Sequence, residues 1–490
     1  MNSPSSKLPP VFDQPLRDIA HYVHDYRIRG TRAWQAAHHC LIDSLGCAFA
    51  ARGNPVCNSV IGPPLPSAIV PVVPIVPHGA RVPGTSFVLD PVEAAFATST
   101  LIRWLDYNDA FYGETVIHPS DCIGAILAVA DWHSRTRVAN GKRPLLMHDV
   151  LDAMIRAYEV MGQLALGNAF TTSMGIDHVV LIKVGAAAVV TKMLGGTPDD
   201  IMQAVSNAWI DGQPLALFRR GPDAGARKSW AAGDAAARGV WLALMTLRGE
   251  MGYPAALSAN IWGFYAVMNK GQPFKFEQPA AHWGSSVIEN VQFKISYPAG
   301  VHAQSAAEVA IKLHAAIASR INHIEHIEIR THRYAYGILN RTGVLKNFAE
   351  RDHSLQYIVA IGLLFGRLES NDYEDAIAAD PRIAALRAKT TLSEHAPYTQ
   401  AFYDAQKRAN PNALRVTFDD GTHTEWVDVF YPIGHKRRRQ EGLPLLQQKF
   451  ETGVACVFAE KQRCAIITLC NDVPRVAAMP VNAFLDVMTL

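Results

Sequence analysis

The chain has 490 residues, of which 49% are hydrophobic and 18% are charged. Globular domains average about 25% charged residues, so this composition excludes a largely disordered protein. The 46 Lys and Arg residues nearly balance the 44 Asp and Glu residues, which excludes the basic excess of proteins that bind nucleic acids or membrane surfaces. We therefore expect neither a nucleic-acid nor a membrane partner, and an acidic ligand would need a local group of cations.

The seven cysteines are few for this length, and no two have the C-x-x-C spacing of zinc or iron–sulfur ligands. We interpret them as reduced thiols in an intracellular protein. Met1–Pro10 lacks the pattern of a signal or transit peptide, and the apolar stretch Pro63–Pro77 is interrupted by prolines, so it cannot form the roughly 20-residue helix of a membrane span. The expectation is a cytoplasmic protein, with a mitochondrial location as the alternative.

A helical pattern dominates up to about residue 274, with small and aliphatic residues on more than one face, as in helices buried inside an all-α layer. Two helix starts are well marked. DPVE at 90–93 and TPDD at 197–200 each place a capping residue before Pro at the first helical position and an acidic residue at the third. Gly195-Gly196 ends the helix before the second start. We predict a large helical domain over residues 1–274.

The pattern changes near Ser285. Residues 287–295 alternate between apolar and polar side chains, which predicts a strand with one polar face. After a turn at 298–300, the sequence predicts a helix over 303–319, a strand over 324–331, and a hairpin whose strands, 414–418 and 424–430, flank Asp420-Gly421. These elements predict a smaller, lid-like α+β domain over residues 275–432.

Residues 433–490 are helical again, and we expect this segment to return to the helical domain. It begins with HKRRR at 435–439, for which a solvated helix start and a ligand-binding patch both fit. The predicted fold class is therefore mainly α with an α+β second domain, in which both ends of the chain contribute to the helical part.

Four segments place ionisable residues beside glycine or at helix starts, where packing alone gives no reason for them. The first contains RWLDYND at 103–109 and HPSD at 118–121, which precedes an apolar helix. If Ser120 caps that helix, His118 lies at the positive end of the helix dipole, which favours the neutral ring that a general base requires. A surface histidine ahead of a helix is the alternative.

The second and third segments also lie at predicted helix starts. GIDH at 175–178 places His178 and a carboxylate ahead of the helical run 179–194, where a purely structural histidine is the alternative. FRRGPDAGARKSW at 218–230 carries four cations, and Lys228 in the first helical turn opposes the helix dipole. Backbone N–H groups at a helix start, together with Arg and Lys, predict an anion-binding site, with an exposed basic loop as the alternative.

The fourth segment, FKISYPAGVH at 293–302, places Lys294 on the polar face of the predicted strand, and Tyr297 and His302 flank the turn that follows. A solvated strand lysine is the alternative. Together the four segments predict a cleft between the two domains that is lined by His, Lys and Arg and has no metal-ligand spacing. Such a cleft suits a small polycarboxylate whose α-proton is removed without a metal, because preplaced cations stabilise the charged transition state.

The chain resembles the MmgE/PrpD family along nearly its whole length. The similar stretches are RWLDYND (103–109), HPSD (118–121), GIDHVVLIKV (175–184), RKSWAAGDA (227–235), FKISYPAGVHAQ (293–304), HSLQYIVAIGLLFGRL (353–368) and YPIGHKRRRQ (431–440). The resemblance implies a large helical domain built from both chain ends, a smaller inserted α+β domain, and a homodimer. It also implies a tricarboxylate substrate and no cofactor: water is removed from 2-methylcitrate, or a related alkylcitrate, to give the alkyl-cis-aconitate.

The resemblance further implies the site residues. The expected catalytic group is His118, His178, Lys228, Lys294 and Asp109, with one histidine as the general base and the other as the acid on the departing hydroxyl. The expected substrate-binding residues are Arg103, Asp106, Asn108, Arg219, Arg227, Tyr297 and His302. The two lysines and Arg219 are expected to hold the carboxylates of the substrate, and no metal ligand is expected.

Two segments beside this expected site, residues 110–117 and 217–221, depart from the family pattern. They leave the alkyl group of the substrate open, and Tyr112, Val116 and Ile117 are the residues that we expect to line its pocket. The alternatives are dehydration of a longer-chain alkylcitrate of secondary metabolism, decarboxylation of cis-aconitate to itaconate, and an inactive binding or scaffold protein. The retained histidines and lysines of the expected site argue against the last of these.

Overall fold

The computed structural model describes residues 11–63, 78–220 and 224–490. Met1–Pro10, and all but the first residue of the Pro63–Pro77 stretch, lie outside these residues, so the interpretations of both segments stay predictions. Within the described ranges, no helix combines the length and the apolar character that crossing a membrane requires. All seven cysteines are in the described ranges and are free thiols.

The first half of the chain is helical, as predicted. Its helices are α1 (Gln14–Asp25), α2 (Thr31–Ala51), α3 (Pro55–Val60), α4 (Pro91–Arg103), α5 (Ile123–Ala139), α6 (Met147–Gly167), α7 (Val179–Met193), α8 (Pro198–Ile210), α9 (Leu217–Arg220), α10 (Arg227–Leu247) and α11 (Phe264–Met268). A short antiparallel pair, β1 (Ala80–Arg81) and β2 (Val88–Leu89), lies between α3 and α4 in the chain. Helix α4 packs on α5 and α10, and α10 packs on α7. The buried apolar side chains of α1, α2, α4–α8 and α10 form one cluster, which also includes side chains from neighbouring loops and from the C-terminal helices. We call this cluster the helical core.

Both predicted helix starts are confirmed. The carboxylate of Asp90 accepts hydrogen bonds from the N–H groups of the second and third residues of α4, at 2.8 and 3.2 Å. Thr197 and Asp200 cap α8 reciprocally: the N–H of Asp200 donates to the Thr197 hydroxyl at 3.2 Å, and the N–H of Thr197 donates to the Asp200 carboxylate at 2.8 Å. Gly195, with φ of +91°, turns the chain out of α7.

The predicted strand over 287–295 is wrong. This segment begins with a short helix, α12 (Ser286–Glu289). Further along it, Gln292 forms an isolated antiparallel bridge with Ala110. Strand alternation fails because two consecutive side chains, Val287 and Ile288, are both buried where α12 packs against α2 and α6. The carboxylate of Glu159 on α6 accepts a hydrogen bond from the N–H of Val287 at 2.9 Å. This backbone N–H group therefore needs no partner on a neighbouring strand.

Beyond residue 300 the chain builds a small mixed sheet with flanking helices. These helices are α13 (Gln304–Ile317), α14 (Arg333–Leu339), α15 (Phe348–Arg351), α16 (Leu355–Phe365), α17 (Asp375–Ala378), α18 (Pro381–Ala388) and α19 (Ala396–Tyr403). The strands are β3 (Ile324–Thr331), β4 (Thr390–Glu394), β5 (Asn412–Phe418) and β6 (Val427–Val429). Their order is β4-β3-β5-β6, with β3 parallel to β4 and the other pairs antiparallel. The buried apolar side chains of β3, β5, α13 and α16 form a second cluster, which we call the sheet core.

Three sequence predictions in this region are confirmed: the helix after residue 303, the strand over 324–331, and the hairpin around Asp420-Gly421. Gly421 has φ of +80°, a conformation that favours glycine. The second strand of the hairpin is shorter than predicted. The hydroxyl of Thr424 accepts the N–H of Val416 at 3.1 Å, so a side chain replaces the backbone carbonyl in the ladder at this point.

The C-terminal segment is helical, as predicted. Its helices are α20 (Arg439–Ala455), α21 (Glu460–Cys470), α22 (Val473–Ala478) and α23 (Val481–Val487), and their buried side chains belong to the helical core. Helix α20 packs closely along α2: a Cβ on Gly453 would lie 2.3 Å from the carbonyl oxygen of Gly46. The basic run ahead of α20 forms a helix start with ion pairs, in which Arg438 binds Glu308 and Glu441.

Candidate active site

The structure brings together the two histidines and two lysines that the sequence singles out. His118 precedes the short 3₁₀ turn before α5, His178 precedes α7, Lys228 lies in the first turn of α10, and Lys294 follows α12. Each of the four is at most 7% exposed. The surface and solvated alternatives for these residues are therefore wrong, because folding removes all four side chains from water.

His118 has a defined tautomer. Its Nδ1 lies 2.6 Å from the carbonyl oxygen of Asp109, which only accepts, so Nδ1 carries the proton and the lone pair of Nε2 is available. Burial, and then the charges of Arg103 and Lys294, hold the pKa of His118 well below its usual value. Ser120 does not cap α5 as expected, because its hydroxyl donates to the Asp109 carboxylate at 2.6 Å. The neutral state of His118 thus comes from burial and cations rather than from a helix end.

His178 faces His118, with 5.3 Å between the ring centroids. Its Nδ1 is 3.3 Å from the carboxylate of Asp177, and its buried Nε2 is 3.8 Å from Asp121, too far for a direct hydrogen bond. Burial lowers the pKa of His178, and the two aspartates oppose this effect. Arg219, an expected substrate-binding cation, is bound to Asp177 (Nε···O 2.7 Å) and so fixes the aspartate beside His178.

Lys294 and Arg103 converge on Asp106, and all three side chains are almost completely buried. Lys294 Nζ donates to the carbonyl oxygen of Asp106 (2.7 Å) and to its carboxylate, which also accepts from Arg103. Burial alone would raise the pKa of Asp106, but Arg103 and Lys294 outweigh it and hold the pKa well below its usual value. Burial lowers the pKa of Lys294 to about 8. Asp106 has φ of +48°, which non-glycine residues rarely adopt, and its ion pairs hold this strained turn.

Asn108 and Asp109 support the turn that carries His118. Asn108 Nδ2 donates to the hydroxyl of Ser120 at 2.7 Å and to an aspartate of the same turn at 2.8 Å. The Asp109 carboxylate accepts from Ser120 and, at 2.8 Å, from the hydroxyl of Tyr158. Burial raises the pKa of Asp109 to about 6. Both side chains are engaged behind His118, where they fix its position.

Lys228 is paired with residues between α15 and α16. Its Nζ binds both carboxylate oxygens of Asp352 and the carbonyl oxygen of Ala349 (3.1 Å), and lies 3.2 Å from Nδ1 of His353. Burial lowers the pKa of Lys228, and Asp352 opposes this effect. Nε2 of His353 is 3.6 Å from the Asp106 carboxylate. The segment that precedes α16 thereby supplies two ionisable groups, Asp352 and His353, to the site.

Sequence reasoning missed Lys449 and two residues of the RDHS segment at 351–354. RDHS precedes the apolar helix α16 as HPSD precedes α5, and this shared pattern was the available signal. Lys449 carries no comparable signal, because it lies inside α20 and reaches the site through folding. Its Nζ donates to Asp43 at 2.6 Å and to the carbonyl oxygen of Lys294 at 2.8 Å, so it supports the segment that carries Lys294.

Three expected substrate-binding residues occupy other surroundings. Arg227 is largely exposed, and its guanidinium lies over the ring of Trp230 at 4.3 Å. Tyr297 is half-buried and packs against the sheet core. His302 is buried among aromatic rings, with its centroid 5.2 Å from that of His332. The roles of these three residues in substrate binding stay predictions.

The loop over 110–117 lies between the two cores. Tyr112 and Val116 form a small apolar cluster with side chains from the sheet side, and the ring of Tyr112 is 5.7 Å from that of Phe402. Ile117 instead belongs to the helical core. The expectation that these residues line the alkyl pocket remains a prediction, for which Tyr112 and Val116 have the more suitable position.

Donor atoms of Asp106, Asp352 and His353 lie within 4.8 Å of one another, an arrangement among the described residues that could hold a metal ion. Both carboxylates already bind ammonium groups, Asp106 with Lys294 and Asp352 with Lys228. A metal ion at this point would meet the repulsion of both lysines. Asp106, Asp352 and His353 are therefore better suited to pairing with the two lysines than to binding a metal ion.

The fold and the site together define a predominantly helical protein with a small mixed sheet and a buried acid–base centre for an anionic ligand. Two histidines face each other in this centre, and three cations, Arg103, Lys228 and Lys294, lie beside them with paired aspartates. Such a centre can move protons and stabilise negative charge on carboxylates.

Known proteins place this arrangement in a family. The chain matches the MmgE/PrpD N-terminal domain over residues 17–277 and the MmgE/PrpD C-terminal domain over residues 297–472. It is 51% identical to the 2-methylcitrate dehydratase of Cupriavidus necator, over 100% of this chain and 99% of that protein. Identity to the 2-methylcitrate dehydratase of Escherichia coli (strain K12) is 48% over 100% of both chains. Identity to the mitochondrial 2-methylcitrate dehydratase of Yarrowia lipolytica is 43%, over 97% of this chain and 90% of that protein. The chain belongs to the MmgE/PrpD family.

Proposed function

We propose that the chain removes water from 2-methylcitrate to give 2-methyl-cis-aconitate, as a cofactor-independent hydro-lyase. The observation that carries the proposal is the pair of facing histidines, 5.3 Å apart, beside Lys228 and Lys294. Elimination of water needs a base for the α-proton, an acid for the hydroxyl, and cations for the charge that develops on a carboxylate. Relatives that are 43–51% identical over nearly their full length are named for this activity.

The two histidines have different surroundings, which suggests their roles. Two cations beside His118 favour its neutral form, and the Asp109 carbonyl leaves the Nε2 lone pair available, so His118 is the base. Burial also lowers the pKa of His178, but the carboxylates of Asp177 and Asp121 oppose this effect, so His178 is the histidine better placed to hold a proton and to act as the acid. Different charges beside two titratable groups are the usual basis of an acid–base pair.

The elimination then proceeds by two proton transfers. Nε2 of His118 takes the proton from the carbon α to a carboxylate, and the electron pair of that C–H bond forms the new double bond. The C–O bond on the adjacent carbon breaks, and His178 donates a proton so that the hydroxyl leaves as water. Lys228 and Lys294 bind the substrate carboxylates. The substrate carboxylates therefore compete for these lysines with Asp352 and Asp106, the aspartates with which the lysines pair.

The purified protein is expected to form the conjugated double bond, followed by ultraviolet absorbance, faster with 2-methylcitrate than with citrate or a hexylcitrate. The reason is the apolar but closely packed cluster around Tyr112, which suits a small alkyl group. Activity is expected to survive treatment with a chelator. Preference for hexylcitrate would indicate a longer-chain substrate instead, and release of carbon dioxide from cis-aconitate would indicate the decarboxylase.

We further propose that residues 1–274 and 433–490 belong to one helical domain and that the smaller lid-like domain lies within residues 275–432. The packing of α20 on α2 and the separate sheet core support this division. The buried residues over 283–295 belong to the helical core, which supports a boundary nearer to residue 297, where the match to the family's C-terminal domain begins.

We also propose a homodimer. Among the described residues, nineteen large apolar side chains are exposed, and ten of these lie between residues 210 and 267: Ile210, Leu215, Leu217, Trp241, Leu247, Met251, Tyr253, Ile261, Trp262 and Val267. The segment after α10 lies against α8, because the N–H of Tyr253 donates to the Ser206 hydroxyl at 2.9 Å and the Asn207 amide donates to the carbonyl oxygen of Met251 at 3.2 Å. Met251 and Tyr253 therefore lie beside the helix that ends at Ile210. Exposed apolar surface of this extent is typical of protein interfaces.

Sedimentation is expected to show a dimer, and replacing Trp262, which is 84% exposed, by lysine is expected to give a folded monomer with the circular dichroism spectrum of the wild type. The matched control is Val344→Lys, because Val344 is 86% exposed but lies outside the apolar surface. A monomeric wild-type protein, or a Trp262→Lys variant that dimerises as tightly as the wild type, would contradict the proposal.

A further inference from the structure

We propose that His353 is a positioning residue of the site, supplied from the sheet side of the molecule, which joins the two lysine–aspartate pairs and accepts a proton when a tricarboxylate binds. The juxtaposition that points to this role is the imidazole of His353 between the carboxylates of Asp352 and Asp106. The inference rests on the proposed function, because it requires a ligand with several carboxylates.

The ring nitrogens of His353 contact both halves of the site. Nδ1 lies 2.7 Å from the carboxylate of Asp352 and 3.2 Å from Nζ of Lys228, and Nε2 lies 3.6 Å from the carboxylate of Asp106. The Asp106 carboxylate in turn binds Lys294. One imidazole therefore connects the two lysines, and in its protonated form it has one N–H group for each carboxylate.

The backbone leaves this imidazole little freedom. The N–H of Gly300 donates to the carbonyl oxygen of Asp352 at 3.1 Å, and a Cβ at position 300 would lie 3.3 Å from Nε2 of His353. The next residue, Ser354, caps α16 by accepting the N–H of Tyr357 at 3.3 Å. His353 is thus held between a helix start and a close turn, as a positioning residue requires.

The charges around His353 balance one another. The cations are Arg103, Lys228 and Lys294, and the carboxylates are Asp106, Asp121 and Asp352. Burial, and then the charge of Lys228, lower the pKa of His353 to about 4, so its ring is neutral. His302 interacts electrostatically with His353 and is neutral, because burial holds the pKa of His302 well below its usual value.

A tricarboxylate adds negative charge to this buried and balanced group. When a substrate carboxylate binds Lys228, it offsets the repulsion that acts together with burial to keep the proton off His353, so the pKa of His353 rises. A proton on His353 then restores the charge balance. Ligand binding is therefore coupled to proton uptake, and the affinity weakens as the pH rises.

The test is calorimetric titration with tricarballylate, a tricarboxylate that lacks the hydroxyl and cannot be dehydrated, in buffers of different ionisation enthalpy. The wild-type protein is expected to take up protons on binding. His353→Gln keeps an amide donor but cannot hold a proton, so it is expected to take up about one proton fewer and to bind about tenfold more weakly. The KM of this variant for 2-methylcitrate is expected to rise less steeply with pH.

The matched control is His314→Gln. His314 lies on α13, and its Nδ1 contacts the carbonyl oxygen of Leu363 at the far end of α16, so proton uptake is expected to equal that of the wild type. If His353→Gln does not fold, His353→Asn replaces it, because asparagine keeps the contact with Asp352. Unchanged proton uptake in a folded variant would overturn the inference alone. A wild-type protein that binds no tricarballylate would overturn both the inference and the proposed function.

Discussion

Replacing His118 by asparagine is expected to lower kcat for 2-methylcitrate by about 10³-fold, with little change in KM. The asparagine amide can still donate to the carbonyl oxygen of Asp109, as Nδ1 of His118 does at 2.6 Å, so the loop keeps its support. The variant lacks the basic Nε2 that takes the α-proton. Steady-state kinetics, followed by the absorbance of the conjugated product, measure the effect.

The matched control for this variant is His133→Asn. His133 is a half-buried histidine of α5 outside the candidate site, so its replacement is expected to leave kcat unchanged. Thermal unfolding of both variants shows whether they fold. A kcat for His118→Asn within tenfold of the wild type would mean that another group is the base, and the roles of His118 and His178 would then have to be reassigned.

Replacing Lys228 by glutamine is expected to raise KM and lower kcat together, so that kcat/KM falls by about 10³-fold. In the proposed mechanism the Lys228 ammonium binds a substrate carboxylate, and it binds more strongly in the transition state, where negative charge increases. The same variant leaves Asp352 buried without its partner, which is expected to lower the free energy of unfolding by about 3–5 kcal/mol. Kinetics and denaturant titration measure the two effects separately.

Two further variants separate catalysis from stability. Lys228→Gln combined with Asp352→Asn removes both charges, so it is expected to recover most of the lost stability without recovering activity. Lys183→Gln removes another buried lysine, which pairs with Asp211 at 3.4 Å outside the site, and is expected to reduce stability but keep kcat/KM. Unchanged kinetics in Lys228→Gln would remove Lys228 from the mechanism.

The local elements of the fold are predictable because their signals lie within a few residues. The cap at Asp90 and the turn at Asp420-Gly421 depend on side chains next to the bonds they make. The strand predicted over 287–295 is wrong because a strand needs a partner segment, and the local sequence does not show which segments lie nearby in the fold. Helix α6 leaves room for Val287 at Gly162, where a Cβ would lie 2.3 Å from a methyl group of that valine.

The residues of the candidate site are likewise predictable from the sequence only in part. The two histidines and two lysines are recognisable in the sequence because packing alone does not explain their positions. The sequence places Lys294 on the polar face of a predicted strand and leaves a solvated lysine as the alternative, whereas the structure buries it against Asp106, which is 188 residues away in the chain. Arg227 was expected beside Lys228, yet adjacent residues on a helix point about 100° apart, so only Lys228 faces the site.

By itself, the sequence determined the mainly helical character of this protein, its capped helix starts, and the candidate residues for acid–base chemistry. These features depend on residue type and short spacing. Only the tertiary structure decided which charges are paired, which tautomer His118 adopts, and that Asp352 and His353 join the site. The reason is that a pKa depends on burial and on charges that are close in space, and folding brings those charges from distant parts of the chain.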